Sequence, residues 1–225
     1  MPLVHVTPEE IGDFAPDAKS DYRAVLEARL NTALLTPKIN ASGLRLSHFM
    51  AQIGHECGLF TIRAENMRYR TKARLLQIFG VGNHSAAITE TEAPGLLDNP
   101  AALAERVYGL GNLVKARELG NTTPGDGFNY RGRGFLQITG RGSYRRHGVA
   151  IGRPEVEQQP ELAEDGNVAL ELAIAEWMSK DCNEPADADN LRVVTKRING
   201  GTNNMPDRVA MLKKAKGIWL HKTPE

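Results

Sequence analysis

Apolar residues recur three, four and seven positions apart along most of the chain, a spacing that buries one face of an α-helix. A helix is also predicted to start near the beginning of the sequence, because Thr7 and Glu10 form a capping-box pattern around Pro8. Glycine or proline follows several later segments and is expected to end them. The pattern therefore predicts helices near residues 20–35, 46–53, 101–108, 166–180, 191–198 and 206–219.

The segment 122–152 breaks this pattern. It is rich in glycine and arginine, and its first half shows no helical period. Residues 135–139 (FLQIT) lie between glycines, and they predict one short strand with a turn on either side. The chain is therefore expected to be mainly α, with a short β element.

Helical spacing is also weaker between about 70 and 127, where turn signals are frequent. We interpret this stretch as a smaller lobe inserted into a larger helical lobe, which takes residues 1–69 and 128–225. The sequence contains no internal repeat and no low-complexity linker. It therefore predicts a single domain over residues 1–225, with a groove between its two lobes.

The composition fits a folded chain of ordinary charge. Among 225 residues, 41% are hydrophobic and 24% are charged, which excludes a disordered chain. Lys and Arg number 28 and Asp and Glu 27, so the net charge of +1 does not indicate a nucleic-acid partner. No apolar run approaches the ~18 residues of a membrane span, and the start lacks a secretory signal pattern. We therefore expect a chain made in the cytoplasm, without stable membrane association.

The two cysteines, Cys57 and Cys182, are too few for a disulfide framework. In a chain made in the cytoplasm, two buried thiols are the expected state. His48 and His55 lie seven residues apart, and no zinc-binding helix motif accompanies them. We therefore expect no metal and no cofactor.

Glu56 is the first candidate for chemistry. It follows Ile53 by three residues and Phe49 by seven, which places it on the apolar face of a helix. A carboxyl group among apolar neighbours has a raised pKa, which is what a general acid requires at neutral pH. The structural alternative is a glutamate near a helix end that reaches water or pairs with an arginine.

Glu65 lies nine residues further on and is the second candidate. The two carboxylates would face opposite ways on one continuous helix, so their pairing requires the helix to end near Gly58. An inverting glycosidase needs two carboxyl groups about 6.5–9.5 Å apart, whereas a retaining enzyme needs about 5 Å. The alternative is a solvated Glu65 paired with Arg63 or Arg68.

Arginine is concentrated between Gly127 and Pro154, where six arginines and no acidic residue occur. One interpretation is a site for an anionic polymer. The other is that one or two of the arginines pair with buried carboxylates while the rest are solvated. The six residues are Arg131, Arg133, Arg141, Arg145, Arg146 and Arg153.

Asn199 is followed by Gly200 and Gly201 at the end of a predicted helix. A glycine at this place supplies the left-handed conformation that ends many helices. The functional interpretation is that Asn199 directs its amide at the hydroxyl groups of a sugar.

Four stretches of the chain together resemble glycoside hydrolase family nineteen, whose members include chitinases and bacteriophage endolysins. They occur in the family's order and are residues 51–58 (AQIGHECG), 130–144 (YRGRGFLQITGRGSY), 194–201 (VTKRINGG) and 207–208 (DR). Each stretch alone is weak evidence for the family. The combination is specific, because a Gly-Arg-Gly run leads into Gln-Ile-Thr-Gly, with His-Glu before it and Ile-Asn-Gly-Gly after it.

The resemblance implies a lysozyme-like, mostly helical fold with the active site in a groove. It implies that Glu56 is the general acid, that Glu65 is the general base of an inverting reaction, and that Thr139 helps to hold the attacking water. It also implies that further residues bind substrate or support the carboxylates, with the arginine at 133 near one of them. These residues are Gln137, Tyr144, Asn199, Arg208 and Arg133.

The short gap between Glu56 and Glu65 looks like the phage and bacterial lysin branch, since plant chitinases carry a longer segment with disulfides. Cys57 stands where the family often has Ser or Thr, and Ser143 stands where plant chitinases tend to have Asn. The branch implies an endolysin that cuts β-1,4 bonds between the amino sugars of peptidoglycan. The arginine-rich segment agrees with this polymer, because peptidoglycan carries carboxylates and chitin is neutral.

An endolysin of this kind is expected to be a monomer in the host bacterial cytoplasm that reaches the wall once a holin-type breach opens the membrane. Its partner is the peptidoglycan polysaccharide and not nucleic acid. Muramidase and glucosaminidase action both remain open. One alternative is a chitinase that cuts β-1,4-GlcNAc polymers by the same mechanism. An alternative from another class is a non-catalytic wall- or nucleic-acid-binding protein, whose function would survive the substitution Glu56→Gln.

Overall fold

Helices make up most of the computed structural model, which describes residues 3–222. The described residues form thirteen α-helices, and a few short 3-10 turns lie between them. The helices are α1 (Pro8–Phe14), α2 (Ser20–Ala33), α3 (Gly43–Glu56), α4 (Lys72–Phe79), α5 (Ala93–Leu96), α6 (Pro100–Tyr108), α7 (Leu113–Leu119), α8 (Asp126–Asn129), α9 (Arg141–Ala150), α10 (Gly166–Ser179), α11 (Asn183–Asp187), α12 (Leu191–Asn199) and α13 (Met205–Trp219).

The capping signals in the sequence mark the helix ends correctly. Thr7 and Glu10 form the reciprocal hydrogen bonds of a capping box at the start of α1. The Asn99 side chain caps α6 by accepting a hydrogen bond from the backbone of Ala102. Gly200 takes the left-handed conformation, with φ 71°, that ends α12. Local side-chain chemistry therefore fixes these boundaries before any tertiary packing.

The strand predicted at residues 135–139 does not form, and that prediction is wrong. Gly134 and Gln137 adopt left-handed backbone conformations, with φ 75° and 49°, which an extended strand excludes. The chain turns there, and only isolated bridges pair Arg133 with Ala64 and with Ile138. The β structure at this place is therefore a pair of single bridges around a turn.

The described residues divide into two compact units, and the first is built around α3. It comprises the described residues of Met1–Arg63, Gly134–Gln137 and Glu161–Glu225. Phe49 on α3 contacts Trp177 on α10 edge to face, with ring centroids 5.4 Å apart. Gly43 lets the start of α3 approach α13 so closely that a Cβ atom there would lie 1.9 Å from the carbonyl oxygen of Trp219. Helix α3, which ends at Glu56, therefore packs against both α10 and α13.

The second unit comprises Ala64–Arg133 and Ile138–Pro160 and has its own apolar core. Its bounds differ from the predicted lobe at about 70–127, because residues 138–160 belong to it as well. The helices α4 to α8 account for the weak periodicity of this region, since most of them are shorter than three turns. The core residues include Met67, Leu75, Phe79, Leu103 and Val107.

Both cysteines of the chain are buried free thiols, as expected from the sequence. Burial raises the pKa of Cys57 and of Cys182 to about 12. These thiols are therefore inert packing groups in the first unit. Within residues 3–222, no helix combines the length and the apolar character needed to cross a membrane.

Candidate active site

Helix α3 ends at Glu56, and the side chain of this glutamate forms an ion pair with Arg208 on α13. The Arg208 guanidinium donates from Nη2 to Glu56 Oε1. Only 2% of the Arg208 side chain is exposed, against 17% of the Glu56 side chain. A buried cation thus lies behind a carboxylate that still reaches the surface.

Arg208 is itself held by further hydrogen bonds. Its Nη1 donates to Gln52 Oε1 at 2.6 Å, and its Nε donates to the backbone carbonyl of Asn203 at 3.2 Å. Gln52 in turn donates from Nε2 to Thr195 Oγ1 on α12 at 3.2 Å. Side chains from α3, α12 and α13 therefore fix the position of the Glu56 carboxylate.

This setting differs from the apolar surroundings that the sequence predicted for Glu56. The helical face is apolar, but the residue at its end has a cationic partner. The alternative of an arginine-paired glutamate at a helix end therefore describes Glu56 in this structure.

Glu65 belongs to the second unit, where several groups donate to it. The Tyr108 hydroxyl donates to Glu65 Oε1 at 2.8 Å. The Gly132 amide points to Oε2 at a longer 3.5 Å, and the Glu65 amide donates to the Gly132 carbonyl at 2.8 Å. Glu65 is therefore not the solvated loop residue, paired with Arg63 or Arg68, that the sequence left open.

Burial raises the pKa of Glu65, although its hydrogen bonds from Tyr108 and Gly132 and the charge of Arg131 act in the opposite direction. The loss of water around the carboxylate is the largest of these influences. A carboxylate with a raised pKa binds a proton more strongly, so it is a stronger base once ionised.

The arginine-rich segment positions Glu65 through its backbone. Arg133 is 5% exposed and donates from Nη1 to the Asn129 carbonyl at 2.6 Å and to the Tyr144 hydroxyl at 3.1 Å. The Tyr144 hydroxyl donates to the Arg131 carbonyl at 2.7 Å. Arg133 and Tyr144 are thus buried supports of the Gly132 turn, and Tyr144 has no exposed surface with which to contact a sugar.

Two other arginines of the segment are bound to an acid just beyond it. Arg141 and Arg145 both donate to the Glu157 carboxylate, at 3.0 Å and 2.7 Å. They hold the pKa of Glu157 down to about 2. Arg131 stacks on the Phe128 ring, with its guanidinium carbon 4.1 Å from the ring centroid. Much of the positive charge in this segment is therefore engaged within the protein.

Of the remaining predicted residues, Gln137 and Asn199 belong to the first unit and Thr139 belongs to the second. Gln137 is half-buried in the first unit and donates from Nε2 to the Gly134 carbonyl at 2.8 Å. Thr139 is half-buried in the second unit and follows Ile138, which pairs with Arg133. Asn199 is exposed at the end of α12. The structure thus brings together Glu56 with Arg208, and Arg133 with Tyr144.

Sequence reasoning missed two residues that hold the carboxylates, Gln52 and Tyr108. Gln52 precedes Glu56 by four residues on α3, so the helical spacing that identified Glu56 also marks Gln52 as its neighbour. Tyr108 lies 43 residues from Glu65, and no local pattern connects them. Only the folded second unit reveals that contact.

Most glycosidases use a pair of acidic side chains at the bond that they cleave. No protein-family model matches the chain. A relative from Haemophilus influenzae, described as a glycosyl hydrolase family 19 domain-containing protein, is 35% identical over 167 residues. The match covers 73% of this chain and 75% of the relative. The chain therefore belongs to glycosyl hydrolase family 19 and is a glycoside hydrolase.

Solved structures show the same fold at low sequence identity. Chitinase C from Streptomyces griseus superposes with a TM-score of 0.60 and 17% identity, over 98% of this chain and 78% of that one. A bacterial family 19 chitinase gives a TM-score of 0.57 and 14% identity, over 97% and 96% of the two chains. The predicted lysozyme-like helical fold is confirmed as that of the family 19 chitinases.

Proposed function

We propose that this chain hydrolyses the β-1,4 glycosidic bonds of bacterial peptidoglycan by an inverting mechanism that uses Glu56 and Glu65. The observation that carries the proposal is that each of these two carboxylates has its own set of fixed donors, Arg208 for one and Tyr108 for the other.

In the proposed reaction, Glu56 transfers its proton to the leaving glycosidic oxygen as the bond to the anomeric carbon breaks. Glu65 removes a proton from a water molecule, which attacks that carbon from the opposite face and inverts it. Arg208 stabilises the carboxylate that Glu56 becomes, and burial makes Glu65 a strong base. Thr139 is assigned to hold the attacking water.

Peptidoglycan is preferred over chitin because the short spacing of the two glutamates in the sequence resembles that of the lysin branch. The corresponding role is that of an endolysin, which acts as a monomer on the wall after the membrane is breached. Chitin is the second candidate substrate, since the structural neighbours are chitinases. The two polymers share the bond type, so the same site chemistry serves for either.

Incubation of the purified protein with peptidoglycan sacculi and, separately, with chitin distinguishes these two substrates. We expect new reducing ends from peptidoglycan, and muramic acid or glucosamine at those ends identifies a muramidase or a glucosaminidase. Proton NMR of the first products should show the α-anomer. Reducing ends from chitin alone would favour the chitinase, and an initial β-anomer would contradict inversion.

Substitution separates the roles of the two carboxylates. Glu56→Gln should reduce turnover about 10²- to 10⁴-fold while wall binding survives, because the proton donor is lost. Glu65→Gly should be equally slow, but added azide should restore bond cleavage and give a glycosyl azide of inverted configuration. The exposed Glu161→Gln is the control in the same unit as Glu56. A fully active Glu56→Gln protein would contradict the assignment.

A further inference from the structure

Helix α12 presents a polar and basic face beside the support of Glu56. Arg192, Lys196 and Asn199 are all exposed, and their i, i+4 and i+7 spacing places them along one side of the helix. We call these three residues the α12 basic face. Leu191, Val194 and Thr195, on another side of the same helix, are buried. The face therefore belongs to a helix that is firmly seated in the first unit.

Among the described residues, the two cations of this face have no acidic partner. Within residues 3–222, neither Arg192 nor Lys196 lies within 4.0 Å of a carboxylate oxygen. The neighbouring Arg197, by contrast, donates to the Asp181 carbonyl and pairs with Glu184 at 3.8 Å. The charges of Arg192 and Lys196 are thus available to an external anion, whereas that of Arg197 is engaged.

The helical period places the face next to the candidate active site. At about 100° per residue, Asn199, Arg192 and Lys196 lie roughly 40°, 60° and 100° around the axis from Thr195. Thr195 accepts a hydrogen bond from Gln52, which accepts one from Arg208, the partner of Glu56. The basic face therefore borders the side of α12 that packs against the support of the catalytic carboxylate.

We propose that the α12 basic face binds carboxylates on the peptides that hang from the peptidoglycan strand under cleavage. The inference rests on the proposed function, and it moves recognition of the anionic polymer away from the arginine-rich segment, where Arg133, Arg141 and Arg145 have protein partners. Arg192 and Lys196 supply the cations, and Asn199 supplies an amide for the sugar side of the same strand. Chitin carries no carboxylate, so this face distinguishes the two polymers.

The test is a sedimentation binding assay with peptidoglycan sacculi, untreated or with their peptide carboxylates converted to amides. All proteins carry Glu56→Gln, so the polymer stays intact during the measurement. Arg192→Gln with Lys196→Gln should weaken binding to untreated sacculi about tenfold at low salt, since each exposed ion pair contributes modestly. Glutamine preserves helix propensity at these exposed sites, so the variant is expected to fold.

The control is Lys213→Gln with Lys214→Gln, which removes the same charge from exposed sites on α13. The control should bind untreated sacculi as the parent does, and on amidated sacculi all three proteins should bind alike. Equal binding of the α12 variant and the control to untreated sacculi would overturn the inference. An equal loss on both kinds of sacculi would also overturn it. Failure of the proposed function appears separately, as the absence of new reducing ends when the unsubstituted chain meets peptidoglycan.

Discussion

The pKa of Glu65 is subject to opposing influences, and the hydroxyl group of Tyr108 supplies one of them. Burial raises its pKa, while the hydrogen bond from Tyr108 at 2.8 Å lowers it. If Glu65 is the general base, it must be ionised, so its pKa sets the acid limb of the pH–rate profile. The identity of residue 108 should therefore be visible in the pH dependence of turnover.

Tyr108→Phe removes the hydroxyl and keeps the ring. The pKa of Glu65 should rise further, because burial then acts with less opposition. The acid limb of kcat/KM should move to higher pH, which rate measurements across the pH range would detect. Tyr69→Phe is the matched control, since the Tyr69 ring packs on Phe79 and, among residues 3–222, its hydroxyl forms no hydrogen bond with Glu65. An unmoved acid limb in Tyr108→Phe would separate this hydroxyl from catalysis.

The sequence identifies the acidic residues of the site but only part of their support. Glu56 and Arg208 are predicted from motifs, yet their ion pair depends on how α3 packs against α13. Tyr144 is expected to bind substrate or to support the carboxylates, and its buried hydroxyl donates to the Arg131 carbonyl beside Gly132, whose own carbonyl accepts from the Glu65 amide. Partners distant in sequence, such as Tyr108, follow from tertiary packing, which local spacing does not encode.

At the scale of elements, sequence reasoning succeeds where a local signal decides the structure. The capping box at Thr7 and the glycine at position 200 each act within a few residues, and each marks a helix end as predicted. The predicted strand at 135–139 fails because the glycines on either side of it do not reveal that Gln137 adopts a left-handed backbone conformation. In the second unit the sequence predicts α6, but the short helices α4, α5, α7 and α8 are too brief to establish a period.

The close packing of α3 against α13 depends on Gly43, which lies at the start of α3. Gly43→Ala places a Cβ atom 1.9 Å from the Trp219 carbonyl oxygen, so α3 and α13 must separate. We expect a loss of about 1–3 kcal/mol in the free energy of unfolding, measured by urea denaturation. Gly217→Ala within α13 is the control, since its Cβ atom meets nothing within 4 Å. That change should stabilise the protein by up to about 1 kcal/mol.

If Gly43→Ala were as stable as the parent chain, the close approach of α3 to α13 would not exist in solution. Activity adds a second measurement, because Glu56 and Arg208 lie on these two helices. A shift of α3 should lower kcat in Gly43→Ala more than the loss of folded protein explains. Gly217→Ala should leave kcat unchanged.

At the scale of the whole molecule, the family can be read from the sequence but the substrate cannot. The order of four short motifs identifies the family, and the first of these motifs contains Glu56, whereas Glu65 lies outside all four. The polymer that binds is determined by exposed charges, and the sequence does not show which of these have partners. Among the arginines between 127 and 154, Arg133 is buried and Arg141 pairs with Glu157. Arg192, which lies outside that segment on α12, is exposed.

A catalytic carboxylate buried for function should reduce the stability of the whole chain at neutral pH. Because the pKa of Glu65 is raised in the folded state, its contribution to stability is full at acid pH and is lost as pH rises through that pKa. Glu65→Gln never ionises and can still accept the hydrogen bond from Tyr108. The variant should therefore gain stability relative to the parent as the pH rises from below the ordinary glutamate range to neutrality. Urea denaturation at several pH values measures this difference, with the exposed Glu155→Gln as the control in the same unit. If the free energy of unfolding of the parent chain instead rose relative to that of the variant with increasing pH, the folded state would favour an ionised Glu65. That result would contradict the role of Glu65 as a strong base.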